Sequence, residues 1–201
     1  MSDRRTEILD AALRVLAEQG MRGLTHRAVD AAAGIAAGST SYYLRSRAAL
    51  VSGCVERLLE LDLERELPDL GAATDLLDGL VAVAVSMATT GRHRTLARYE
   101  LSLAAVRDPE LRAALLGGGD TVRRLGAALL ARAGAADPAA AAGELAAVVD
   151  GLVLTVLVRG PDDPAGLAAH LRPPLARALA SLLGPVAART GAPADSVAPH
   201  E

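Results

Sequence analysis

The residues best suited to chemistry lie in one short run, where Gly38 is followed by five hydroxyl side chains, Ser39, Thr40, Ser41, Tyr42 and Tyr43. Small and hydroxyl side chains let a backbone come close to a polyanion and can hydrogen-bond phosphates or base edges. Two of the three tyrosines of the chain sit in this run, and Tyr42 is expected to belong at least partly to the core. Upstream, Thr25 precedes an apolar-periodic segment. Its side chain can cap a helix whose free amides would seat a phosphate, with Arg27 adding charge. Catalytic chemistry finds little support. His26, His93, His170 and His200 are scattered without metal-ligand spacing, Cys54 is alone, and no glycine-rich phosphate loop follows a strand. Neither an enzyme nor a metal or cofactor site is expected, and Cys54 reads as a structural thiol in a reducing cytoplasm.

These residues need short helices to hold them. Ile8, Leu9, Ala12, Leu13 and Leu16 recur at helical spacing until Gly20, which reads as a C-terminal cap. A second short helix follows Thr25 and closes at Gly34, and a third carries the hydroxyl run. Two short helices joined by a tight turn and braced by a longer one make a helix-turn-helix pattern. Ser46 then caps a long fourth helix that ends before Pro68, with the boundary between head and body near residue 50. A fifth helix is expected over residues 74–90 and a sixth from Arg92, where Arg92, His93 and Arg94 read as a solvated helix start. Asp108-Pro109, Asp137-Pro138 and Asp163-Pro164 repeat one start signal, an N-cap followed by a first-turn proline. The first of these helices is expected to break at Gly117-Gly118-Gly119 and restart at Asp120; the other two should run to about Arg159 and Leu183. From Gly184 the composition reads as a frayed tail.

Composition agrees with an all-α fold. The chain of 201 residues is 51% hydrophobic and holds neither Phe nor Trp, so it can bury a core but offers little aromatic material for sheets. The net charge of −3 hides an asymmetry: residues 1–50 hold seven arginines against five carboxylates, and the remainder fourteen against nineteen. Only the first part is suited to approach phosphates. The N-terminus has no apolar signal core, so export is not expected. The apolar stretch at residues 145–158 is interrupted by Asp150, falls short of the ~20 residues of a membrane span, and reads as a buried helix.

The run at residues 20–50, GMRGLTHRAVDAAAGIAAGSTSYYLRSRAAL, resembles the DNA-binding signature of TetR-type transcriptional regulators. That signature has a glycine, Leu-Thr or Thr-Thr before a short helix, a second glycine, Gly-Ser or Gly-Thr, one or two aromatics, Phe, a capping Ser or Asn, Lys and Leu. Here Leu44 stands for the Phe, Arg47 for the Lys, and Ser41 where Tyr is common. The resemblance implies a three-helix head (residues 1–50), a ligand-binding and dimerising body (51–184) and a tail (185–201). It implies that Tyr43 contacts a phosphate through its hydroxyl and that Arg47 anchors another, beside Thr25, Arg27 and Gly38 to Tyr42. It further implies a homodimer on a double-stranded DNA operator, released by a small-molecule inducer held among helices 5 to 8, most simply a repressor. Met87, Arg98, Tyr99, Arg123 and Asp150 are the candidates to line that pocket, and the scarcity of aromatics favours an aliphatic or small polar ligand over a stacked one.

Dimerisation also follows from energetics, because one head supplies few cationic contacts. The last two helices hold more apolar surface than one subunit would cover, and Leu152, Val156, Leu171, Leu175 and Leu179 are the candidate interface. Two readings compete with the repressor. One is a helical ligand-binding or interaction protein with vestigial DNA affinity, the other an activator of the same family.

Overall fold

The computed structural model describes residues 4–66, 75–161 and 163–183, and among these every regular element is helical. The head is α1 (Arg4–Gly23), α2 (His26–Ala33), α3 (Ser39–Tyr43) and the start of α4 (Arg47–Leu61), which passes into a π-helical turn, Asp62–Glu66. The body is α5 (Leu76–Ala88), α6 (Arg92–Ala105), α7 (Pro109–Ala133), α8 (Pro138–Arg159) and α9 (Pro164–Leu183).

The starts of these helices follow from side chains that satisfy amides otherwise left without an intrahelical partner. Thr25 Oγ1 accepts from the amide of Ala28 at 3.1 Å, Ser46 Oγ from Ala49 at 3.0 Å, and Asp75 Oδ1 from Leu77 at 2.7 Å. Asp108, Asp137 and Asp163 do the same ahead of α7, α8 and α9, as their Asp-Pro signals predict. Helix α9 keeps its course through Pro173 and Pro174, and Ala169 and His170, whose carbonyls lose their i+4 donors there, are exposed to water.

Three expectations change. Helix α1 kinks at Gly20, with φ 65° and ψ −173°, and coils on to Gly23 instead of stopping. Helix α7 does not break at Gly117-Gly118-Gly119; it runs unbroken across them, with α4 packed alongside and Leu111 and Leu130 buried at either side. A Cβ on Gly118 would stand 3.6 Å from Leu59 of α4, ordinary contact distance, so α4 covers this stretch of α7 closely. Helix α8 is 22 residues long and, by length and composition alone, apolar enough to cross a membrane. Only one of its faces is buried within the chain, so it is not the wholly buried helix expected.

Two apolar clusters organise the molecule. The first joins Leu9, Leu13, Leu16, Val29, Leu44 and Leu50 of the head to Leu101 of α6 and Leu111 of α7. The second gathers Leu80 and Met87 of α5, Leu130 of α7, Val153 and Val156 of α8, and Leu171 and Leu175 of α9. The helices α1 and α6 form the most extensive contact, so the head is seated on the body over much of the length of α1. Val156, Leu171, Leu175 and Leu179, expected at an interface between subunits, are instead buried in this second cluster. Each faces its own chain because α8 and α9 pack on α5 and on each other. The apolar surface left over on α8 includes the exposed Leu154 and Val158 and the half-buried Leu152.

Candidate functional site

The hydroxyl run forms α3 between two glycines of positive φ and a buried plug. Gly34 closes α2 at φ 65°, and Gly38 opens α3 at φ 90°, a conformation that side chains with a Cβ rarely adopt. Leu44 ends the helix, 4% exposed, in the apolar role that the signature gives to Phe. On the outer side Ser41, Tyr42 and Tyr43 face solvent, with the two rings edge to face at 5.2 Å. Tyr42 is 76% exposed and is not a core residue; with Leu44 and Thr40 already filling the inner side of a five-residue helix, its ring has no interior to enter. Thr40 is fully buried, so its side chain braces α3 from beneath and does not present itself to a ligand.

Two residues that the sequence did not single out hold α3 in place. Asp30, 4% exposed, accepts from the amides of Gly38 at 2.7 Å and Thr40 at 2.8 Å, fixing the approach to the helix and its first turn. Burial acts to raise its pKa, but the hydrogen bonds from Thr40 and Gly38 and the nearby His26 outweigh it and hold the carboxyl below its ordinary value. His26 Nε2 donates to the carbonyl of Leu44 at 2.6 Å, tying α2 to the far end of α3. A carboxylate near the C-terminus of a helix is disfavoured by the helix dipole, and that misplacement is the one signal of Asp30 in the sequence.

The cations divide. Arg27 is exposed beside the Thr25 cap. Arg47, expected to anchor a phosphate, turns its guanidinium to the carbonyls of Leu24 and, at 2.5 Å, Met21, and so clamps the α1–α2 turn to the start of α4. Arg94, expected in a solvated helix start, is 8% exposed and lines a cleft of about 530 Å³ between head and body with His93, Arg14 and Arg57. Arg57 in that cleft bridges Asp10 of α1 at 2.8 Å and Glu60 at 3.0 Å.

Within the body, a cavity of about 220 Å³ opens among α5, α7 and α8, and Met87, Arg98, Arg123 and Asp150 all line it. Tyr99 does not; its hydroxyl donates to the backbone carbonyl of Asp150 at 3.1 Å, and burial pushes its pKa up. Arg98 donates to both carboxylate oxygens of Asp62 at 2.6 and 2.8 Å, a bidentate pair that the sequence did not reveal. Asp62 follows α4 directly, so one wall of the cavity is attached to the helix that begins under α3. Cys54 is buried, and burial pushes its thiol up to about 12, in keeping with a structural role. Among the described residues no cluster of His, Cys, Asp or Glu could hold a metal ion.

A short helix braced on two others and seated on a helical body is the arrangement of a helix-turn-helix transcriptional regulator. Residues 8–54 match the family described as bacterial regulatory proteins, tetR family, and residues 71–197 match the tetracyclin repressor-like C-terminal domain. The chain belongs to the TetR family of transcriptional regulators and is a DNA-binding protein, not an enzyme. Comparison with curated proteins finds no match. A transcriptional regulator from Rhodococcus sp. Rha1 shares the fold at a TM-score of 0.74, 21% identity, and coverage of 90% of this chain and 99% of that one. The TetR-family member SCO1917 from Streptomyces coelicolor A3 is 34% identical, with a TM-score of 0.65 over 88% of this chain and 98% of its own. The multidrug binding protein EbrR, solved in complex with proflavin, is 33% identical with a TM-score of 0.57 over 88% and 99%.

Proposed function

We infer that the chain is a homodimeric repressor that leaves a palindromic operator when a small molecule enters the body cavity. The observation that carries this reading is the attachment of the cavity wall to α4 through Asp62 and Arg98, with α4 running from there to Ser46 beneath α3. A ligand that alters the pair moves α4, and α4 carries the head, so ligand and DNA select different spacings of the two heads. Multidrug binding by the relative EbrR supports a small-molecule effector.

On this reading residues 1–50 bind DNA, 51–184 bind ligand and dimerise, and the tail from 185 lies outside the described residues. Ser41, Tyr42 and Tyr43 present hydroxyls to the major groove, Gly38 and Ser39 let the backbone approach, and Thr25 with Arg27 seats a phosphate at the start of α2. Arg47 sets the α1–α2 turn and offers its remaining donors to the backbone. The dimer closes on the outer face of α8, and the protein works in the cytoplasm, where the chromosome lies.

The test is a titration of the purified protein against the DNA upstream of its own gene, at two salt concentrations, with wild type and Tyr43→Ala. Specific binding that weakens steeply with salt, and that the variant weakens by about tenfold or more, is the expected result. If neither this DNA nor a genome-wide selection yields a bound site, the repressor reading falls and a vestigial head takes its place. Transcription that rises with the protein, from a bound site, would make it an activator.

A further inference from the structure

The charge arrangement at the body cavity narrows the ligand, and the argument rests on the effector reading just given. Four charged groups line it, the carboxylates of Asp62 and Asp150 and the guanidiniums of Arg98 and Arg123. Arg98 gives hydrogen bonds to both oxygens of Asp62, so its charge is already matched. The other cation at the cavity, Arg123, is turned toward Asp120 and, at 3.0 Å, the carbonyl of Leu116, outside the cavity. The surplus charge is therefore negative and resides on Asp150, at the exposed rim of a cavity whose walls include Leu80, Leu145 and Val149. Although the residue reaches solvent, its carboxyl is partly desolvated by the surrounding walls; that desolvation and the Asp62 charge press Asp150 above its ordinary pKa, while Arg98 and a hydrogen bond from Tyr99 act in the opposite sense. A carboxylate held at an apolar wall without a full countercharge is stabilised by a cation brought from outside.

We propose that the cavity takes an apolar monocation, an amine with an aliphatic body, its charge set against Asp150 and its chain along the leucine and valine walls. An anionic ligand would find both arginines already engaged and would face the surplus carboxylate. A neutral ligand would gain only the apolar contact.

Three probes of one chain length separate these cases: hexylammonium, 1-hexanol and hexanoate, each titrated calorimetrically into the full-length protein while a parallel sample follows the operator complex by anisotropy. The expected order is hexylammonium tightest by about tenfold or more, with hexanoate weakest. Asp150→Asn brings the ammonium to the level of the alcohol, and Asp150→Glu keeps the preference. Equal or tighter binding of hexanol or hexanoate overturns the proposal, as does no binding of any probe, or a preference that survives in Asp150→Asn. The wild-type order alone decides the matter should that variant fail to fold. Release of the operator by hexanol or hexanoate but not hexylammonium would overturn the monocation and leave the regulator standing. Selective hexylammonium binding with an unmoved operator complex would do the reverse.

Discussion

Asp30 carries two backbone amides of α3 and its approach on a buried carboxylate, and an amide in its place can accept for one of them while its NH₂ confronts the other. Asp30→Asn is expected to cost about 1–3 kcal/mol, read as a lowered Tm, and to weaken operator binding at temperatures where the protein is still folded. The folded pKa is depressed below the unfolded value, so the contribution of Asp30 to stability is present above the unfolded value and lost as pH falls through the folded one. Acid titration followed by circular dichroism should accordingly show a shallower acid limb in the variant; an unchanged limb would remove Asp30 from this role. The caps Thr25, Ser46 and Asp108 were legible in the sequence because each serves a backbone within three residues of itself. Asp62 was not, since its partner Arg98 lies 36 residues on and no local pattern demands it. Tyr42 and Thr40 were misread for a related reason: in a helix of five residues the periodicity is too short to tell an inner face from an outer one.

Helix α7 shows the same limit at the level of an element. Three successive glycines each cost about 1 kcal/mol relative to alanine in a helix interior, which is why the sequence suggested a break, and packing against α4 and α8 overrides that propensity. Gly117 lies in helical backbone on the solvent side, and a Cβ there would meet nothing within 4 Å. Gly117→Ala is therefore expected to stabilise the chain by about 0.5–1 kcal/mol, measured as an upward shift of a few degrees in Tm. A lowered Tm would mean that the glycine is needed for a motion of α7 or a contact made only in the assembled protein. The periodic helices α8 and α9 were readable end to end, because Asp-Pro signals and apolar spacing agree there. The kink at Gly20 was not, because a residue type that closes α2 and α7 here bends α1.

For the whole molecule, the fold class was legible from composition and the motif at residues 20–50, but the faces that subunits would share were not. Apolar spacing shows which residues are buried, not whether the neighbour is in the same chain. Leu171, Leu175 and Leu179 went to the internal cluster, leaving Leu154 at 50% and Val158 at 70% exposure on α8. If that face closes the dimer, Val158→Glu should shift the protein toward monomer in light scattering and weaken operator binding in proportion, while leaving the monomer folded. A dimer of undiminished stability would place the interface elsewhere.

Helix α6 grips the rest of the molecule from two sides. Glu100 accepts from the amide of Met21 at 3.2 Å, just past the Gly20 kink, where a Cβ would stand only 3.1 Å from the same carboxylate. Two residues earlier, Arg98 holds Asp62 at the cavity. In engineering terms the head is not a removable cartridge. A chimera that replaces the head near residue 50 would deprive Glu100 of the Met21 amide and uncover Ala97 and Leu101, which this head buries. A new DNA specificity grafted here therefore has to bring a matching α6 with it, or be confined to the outward side chains of α2 and α3.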